Sequence, residues 1–247
     1  MAGNDVTMLK IAVLYPELLG TYGDGGNALV LASRARRRGV EVEVVQVALD
    51  EEIPDAQILL LGGGEDGPQR QATYGLAKDD TLAKRVNDGA VLLAVCAGFQ
   101  LIGTSYEVEG GLHVEGLGLV ESVTTRGAKR RVGDLLTRVG NRWMVGFENH
   151  GGETELGSNE VPLGVVEAGA GNGRFAGGAR YVDGVRRGNI FGTYAHGPVL
   201  AQNPWFADEL LTHALGRELE PLSSVADDLH RSRVREIGDF HDDVVDY

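Results

Sequence analysis

The stretch Val91–Gln100, VLLAVCAGFQ, decides the fold. Ala90–Val95 is an unbroken apolar run, the pattern of a strand buried on both faces, and it leads straight into Cys96. A helix is expected to begin directly after it, near Gly98 to Gly103. Small residues frame the turn: Ala94 lies two before the cysteine and Gly98 two after it. That frame lets a strand bend sharply into a helix and present a nucleophile at the bend. A thiol at a helix N-terminus meets free backbone N–H groups and the positive end of the dipole, which favour the thiolate. The N–H of Ala97 would then face an oxyanion formed by attack on a carbonyl. The competing reading is an inert core thiol, because free cysteine is among the most buried residue types.

Working toward the N-terminus, Gln57–Leu61 (QILLL) reads as a second buried strand ending in Gly62-Gly63-Gly64. A glycine run there lets the backbone approach a ligand and turn an N–H inward, and a plain glycine turn is the alternative. Lys10–Tyr15 (KIAVLY) is another buried strand, followed by the glycine-rich Gly20–Gly26. Asn27–Arg38 has helical spacing, cations in its last turn and Gly39 as a stop. Val40–Val47 alternates like a half-exposed strand, and Asp79–Asn87 reads as a helix. This order of elements is α/β with a mostly parallel sheet.

Toward the C-terminus the character changes. Gly110 to Gly197 is dense in glycine and short β-like runs: Leu117–Thr125, Trp143–Glu148, Gly164–Glu167, Arg180–Val185 and Asn189–Thr193. Antiparallel strands extending the sheet edge are expected, with Gly169–Gly178 as a flexible loop or hairpin tip. Asn203–Ala214 is a late helix. The division is one domain over 1–216 and an acidic segment over 217–247, either a frayed tail or a helix that docks on a partner.

Composition narrows the function. The 247 residues carry 23 basic and 36 acidic side chains, a net charge of −13, which disfavours nucleic acid and anionic lipid as partners. No apolar run approaches the roughly 18 residues of a membrane span, and Met1–Thr7 lacks a basic-then-apolar leader, so a cytoplasmic location is expected. The single cysteine excludes a disulfide framework and a multi-cysteine metal site. Its reactivity therefore depends on a base. Of six histidines, His213, His230 and His241 fall in the C-terminal helix and tail. His196, in NIFGTYAHGP, follows an apolar strand, at the kind of strand end where α/β folds place their chemistry. His150, in FENHGG, is a second candidate.

Gly62-Gly63-Gly64-Glu65-Asp66 with Gln69, Cys96-Ala97-Gly98-Phe99-Gln100, and Tyr194-Ala195-His196-Gly197 together resemble the class I glutamine amidotransferases, in the cobyric-acid-synthase-like branch. Within that branch, Tyr22-Gly23-Asp24 with Asn27 and Gly146–Gly151 look like the glutaminase subunits of lipid II isoglutaminyl synthase. The likeness spans Leu9 to Leu215 and implies a flavodoxin-like fold: a mostly parallel central sheet flanked by helices, with antiparallel edge strands. It implies Cys96 as nucleophile toward L-glutamine, His196 as base, and the N–H groups of Gly64 and Ala97 as oxyanion hole. It also places a glutamine-binding arginine in Ala128–Asp134, with Arg130 preferred over Arg131, where a fork of donors suits an α-carboxylate.

The resemblance further implies a heterodimer with a Mur-ligase-like (MurT-type) synthetase. ATP and Mg²⁺ would serve that partner, with no cofactor or metal in this chain; no Gly-x-x-x-x-Gly-Lys phosphate loop occurs. One departure matters: Pro198 stands where class I enzymes usually carry the triad glutamate. The resemblance suggests an aspartate from the partner instead, and hence weak activity of the chain alone. Three other readings compete. One is a glutaminase for a cobalamin-type or other synthetase, and another a regulatory subunit without turnover. The last is a dinucleotide-binding oxidoreductase, since Gly23-x-Gly25-x-x-Ala28 fits that fingerprint, although Pro16–Tyr22 intervenes between strand and turn.

Overall fold

The computed structural model describes residues 8–174 and 181–238. The first half runs β1 (Met8–Leu14), α1 (Gly26–Arg36), β2 (Glu41–Val47), β3 (Ile58–Leu61), α2 (Asp66–Leu76), α3 (Thr81–Asn87), β4 (Val91–Val95) and α4 (Ala97–Leu101). The second half begins with β5 (Ser105–Val108), β6 (Leu112–Glu115), β7 (Ser122–Val139), β8 (Arg142–Leu156), β9 (Gly164–Ala168), β10 (Gly173–Arg174) and β11 (Tyr181–Asp183). It ends with β12 (Val185–Arg187), β13 (Ile190–Thr193), α5 (Val199–Gln202), α6 (Pro204–Leu215) and α7 (Val225–Gly238).

Two sheets result. The first has the order β12-β13-β4-β3-β1-β2. From β13 to β2 every pairing is parallel, and β12 adds an antiparallel edge on β13. Strands β3, β4 and β13 are buried at every residue, as their continuous apolar runs require. Their C-terminal ends lie side by side, because Leu61 pairs with Ala94 and Val95 with Thr193. The glycine run, Cys96 and the segment leading to His196 therefore emerge at one edge of the sheet.

The second sheet corrects the expectation for the β-rich half. Strand β12 is the expected edge extension, but β5 to β11 form a separate sheet built around the long β7–β8 ladder. Glycine-rich antiparallel runs look alike whether they lengthen one sheet or start another, so only packing separates the outcomes. Gly169–Gly178 partly forms β10, which pairs with β11; residues 175–180 of that expectation lie outside the described residues.

Helix α2 was not anticipated. Its buried residues, Gln69, Ala72, Thr73 and Leu76, keep helical spacing, but two of them are polar and Gly67, Pro68 and Gly75 lower its propensity. The acidic end contains α7, which packs on this chain. Val234 is fully buried against Leu136 and Val145, and Arg233 pairs with Asp134 at 2.8 Å. Residues 239–247 lie outside the described residues.

Candidate active site

Cys96 occupies the turn between β4 and α4 with φ 53° and ψ −106°, a conformation L residues rarely adopt. The bend persists because the neighbouring chain leaves no room for a relaxed path. Gly98 donates its N–H to the Gly62 carbonyl, and a Cβ on Gly98 would stand 2.8 Å from the Leu61 carbonyl oxygen. Cys96 is buried, and it shares a small cavity with Gly64, Ala97, Gln100, Arg130 and Asn149. Ala97 holds the first helical position, where an N–H has no intrahelical partner. Both expected oxyanion donors thus line the cavity of the expected nucleophile.

His196 is also buried. Its backbone is clamped by the second sheet: His196 N–H donates to the Phe147 carbonyl at 2.9 Å, and Phe147 N–H donates back at 3.1 Å. The ring's Nδ1 lies 3.0 Å from Asp24 Oδ2. The same carboxylate oxygen accepts the N–H of Gly63 at 2.9 Å. Gly63 must be glycine, since a Cβ there would lie 2.6 Å from His196 Cε1. Nε2 has no hydrogen-bond partner among the described residues, and Cys96 is among the groups that act on the ring. Burial alone would lower the pKa of His196, but the hydrogen bond to Asp24 and the interaction with Cys96 outweigh it and push it up to about 10.

Within the chain, Asp24 meets the His196 ring at the place for which the resemblance suggested an aspartate from a partner. Asp24 sits in the loop after β1, at the same edge of the sheet as Cys96. No local signal ties it to His196, 172 residues away; the usable hint was its place in the loop after a buried parallel strand.

The arginine pair separates cleanly. Arg130 falls where the β7–β8 register breaks, between Arg126 and Arg131, and so escapes the regular ladder. Its Nε donates to Asn149 Oδ1 at 2.7 Å and its Nη2 to the Tyr22 hydroxyl at 3.0 Å, beside the cavity. Arg131 pairs instead with Glu153 at 2.6 Å. His150 lines the cavity too, but its Nδ1 is 2.9 Å from the Gly152 carbonyl and its ring stacks on Tyr194. Behind the elbow a polar chain joins the two sheets: Gln69 donates to Gln100, Gln100 to the Tyr194 hydroxyl, and that hydroxyl meets Thr154 at 2.6 Å. These are the motif residues for which spacing alone suggested no task.

A larger groove, about 1110 Å³, lies elsewhere, beside α6 and α7. Its arginines are committed: Arg34 and Arg38 both bind Asp208, and Arg186 binds Glu209. Among the described residues no group of histidine, cysteine or carboxylate side chains is arranged to hold a metal ion.

Comparison with known proteins agrees with this geometry. Residues 10–204 match the family model of the CobB/CobQ-like glutamine amidotransferase domain. The chain is 37% identical to the lipid II isoglutaminyl synthase (glutamine-hydrolyzing) subunit GatD of Streptococcus pneumoniae, over 87% of this chain and 84% of that one. It is 36% identical to the subunit of the same name in Staphylococcus aureus, over 85% and 86%. A cobyric acid synthase of Streptomyces coelicolor is 30% identical over 79% of this chain but only 34% of its own length. Among solved structures, one titled as a glutamine amidotransferase superposes with a TM-score of 0.57 at 20% identity, covering 83% of this chain and 98% of that one. The Trypanosoma brucei CTPS glutaminase domain with bound acivicin gives 0.51 at 12% identity, covering 86% and 96%. These two show the fold alone. With the family model spanning most of the chain, and relatives matching it nearly end to end, this protein belongs to the CobB/CobQ-like glutamine amidotransferase family.

Proposed function

We propose that the chain is the glutamine-hydrolysing subunit of a synthetase that amidates the D-glutamate α-carboxyl of lipid II to D-isoglutamine. The observation that carries the chemistry is the buried His196 ring, its Nδ1 3.0 Å from Asp24, at the same edge of the sheet as the strained turn that holds Cys96. The choice of substrate rests on length: the isoglutaminyl synthase subunits match over most of both chains, whereas cobyric acid synthase is about three times longer than the match.

Cys96 passes its thiol proton to His196 and attacks the side-chain amide carbon of L-glutamine, forming a C–S bond as the carbonyl π bond opens to a tetrahedral oxyanion. The N–H groups of Gly64 and Ala97 stabilise that oxyanion, and Arg130 holds the α-carboxylate. The protonated His196 gives its proton to the departing nitrogen as the C–N bond breaks, and ammonia leaves a thioester behind. A water then attacks the thioester, His196 takes its proton, and glutamate is released from the restored thiol. Asp24 keeps Nδ1 protonated and the ring aimed throughout. Ammonia passes to a Mur-ligase-like partner, which uses ATP and Mg²⁺ to activate the acceptor carboxyl. We place the reaction in the cytoplasm; no helix among the described residues is long and apolar enough to cross a membrane.

A Cys96→Ala variant tests the reading. With the partner present, glutamine-dependent amidation of lipid II should vanish while amidation from added ammonia survives. Persistence of the glutamine-dependent reaction would make Cys96 structural. Glutamine hydrolysis by the chain alone is expected at a measurable rate, because the base is oriented internally. Complete dependence on the partner would point back to an imported carboxylate.

A further inference from the structure

Tyr22 lies over the candidate site in an unusual position. Its ring packs on His196, with centroids 4.7 Å apart. Its hydroxyl donates to Glu65 Oε1 at 2.6 Å and accepts from Arg130 Nη2 at 3.0 Å. One neutral oxygen therefore sits between a carboxylate and a guanidinium, the two charges that a free amino acid's α-ammonium and α-carboxylate would seek. Tyr22, Glu65, Arg130 and Cys96 line the same cavity, whose volume is about 50 Å³. At about 10–15 Å³ for each water, that holds a few waters but not glutamine. Tyr22 sits in the glycine-rich segment Gly20–Gly26, and Gly23 has φ +77° with open space around it.

We propose that Tyr22 is an internal competitor that occupies the α-carboxylate position on Arg130, so that the site opens to ligands bringing both a carboxylate for Arg130 and a cation for Glu65. Tyr22 and Glu65 thereby determine specificity for the free amino acid over amides that lack either α-group. This rests on the glutaminase reading above. A competing internal contact lowers apparent affinity by the fraction of molecules in which the site is open. Only a ligand with a net preference for the open state shifts that balance.

Cys96 is the sole cysteine, so its alkylation is read without ambiguity by mass. The full chain is treated with iodoacetamide, which is small and neutral, and with a chloroketone analogue of glutamine that keeps both α-groups. Each rate is normalised to that of a free thiol. In Tyr22→Phe the ring still packs on His196 but both hydrogen bonds are lost. Iodoacetamide labelling should rise about threefold to tenfold, the usual worth of such bonds, and chloroketone labelling should rise less. In Glu65→Gln, iodoacetamide should again gain while the chloroketone slows, because its ammonium loses the carboxylate. An unchanged iodoacetamide rate in both folded variants overturns the proposal, as does an equal gain for both reagents. If the chloroketone shows no advantage on the wild type, the glutaminase reading fails instead, and the iodoacetamide rates still report on Tyr22. Should Tyr22→Phe fail to fold, Glu65→Gln alone decides through its opposite effects on the two reagents.

Discussion

In the first sheet, β3, β4 and β13 are buried from end to end; in the second, β7 is exposed or half-exposed from Thr125 to Asp134 and buried again from Leu135 to Thr137. On the proposed reading the first sheet supplies the reacting groups. Cys96, the glycine run and His196 leave the ends of strands that helices cover on both faces, and Asp24 follows β1. On that same reading the second sheet supplies the grip: Arg130 comes from the break in the β7–β8 ladder, and Asn149 from the paired stretch just beyond it, opposite Val132. A buried parallel core fixes atoms that must meet to within tenths of an ångström. An exposed arm is suited to a charged substrate that must enter and leave. The division is not complete, since β8 clamps the backbone of His196 and Asp183 of β11 binds Thr193 and Tyr194 at the end of β13.

Breaking the reactive side should have the largest effect. Asp24→Asn leaves the shape but releases the His196 tautomer, so kcat for ammonia release should fall about 10²–10⁴-fold with KM little changed. A fall confined to KM would make Asp24 part of the substrate grip. Core packing comes next. Leu92→Ala, at a fully buried position in β4, should cost about 2–5 kcal/mol in denaturant unfolding, whereas Val132→Ala on the exposed arm should stay within about 0.5 kcal/mol. Equal losses would show that the arm is as much a part of the core as the first sheet.

The grip itself is tested by the arginine pair. Arg130→Ala should raise KM for glutamine about 10- to 100-fold, the worth of a lost charge-assisted hydrogen bond, with kcat nearly kept. Arg131→Ala, which loses only its pair with Glu153, should change KM less than about twofold. The reverse ranking would exchange their roles. The smallest expected effect lies at the junction of the sheets. Burial pushes the Asp183 carboxyl up to about 6 from its usual 3.8, against the hydrogen bonds from Thr193 and Tyr194 that lower it. Folding therefore takes up a proton at this residue, and its contribution to stability improves as pH falls through about 6 toward 4. Comparing Tm from neutral to mildly acidic pH, the wild type should lose less than Asp183→Asn over that window. Parallel curves would show that Asp183 is ionised throughout.

Much of this site was legible in the chain. Cys96 and the first sheet announce themselves because continuous apolar runs bounded by glycines have few other physical readings. His196 follows such a run, but on residue pattern alone His150 stands beside it as a candidate, and it is the resemblance that singles out His196. Helix α2 was hidden because it buries Gln69 and Thr73, which are polar and carry no periodic apolar signal. The resemblance favoured Arg130 over Arg131, but residue pattern alone gives no reason to choose between neighbours; the break in the β7–β8 register, which leaves Arg130 outside the ladder and Arg131 paired, is a tertiary feature.

By itself the sequence determined the order of the parallel strands of the first sheet, their burial and the presence of one framed thiol, since these follow from local pattern and steric freedom. Tertiary structure alone decided that the β-rich half closes into a second sheet, that α7 folds back on its own chain, and that Asp24 meets His196. It also brought Tyr22 between Glu65 and Arg130. The physical reason is the same in each case: these contacts join residues far apart in the chain, and their partners are chosen by how whole layers pack rather than by any local preference.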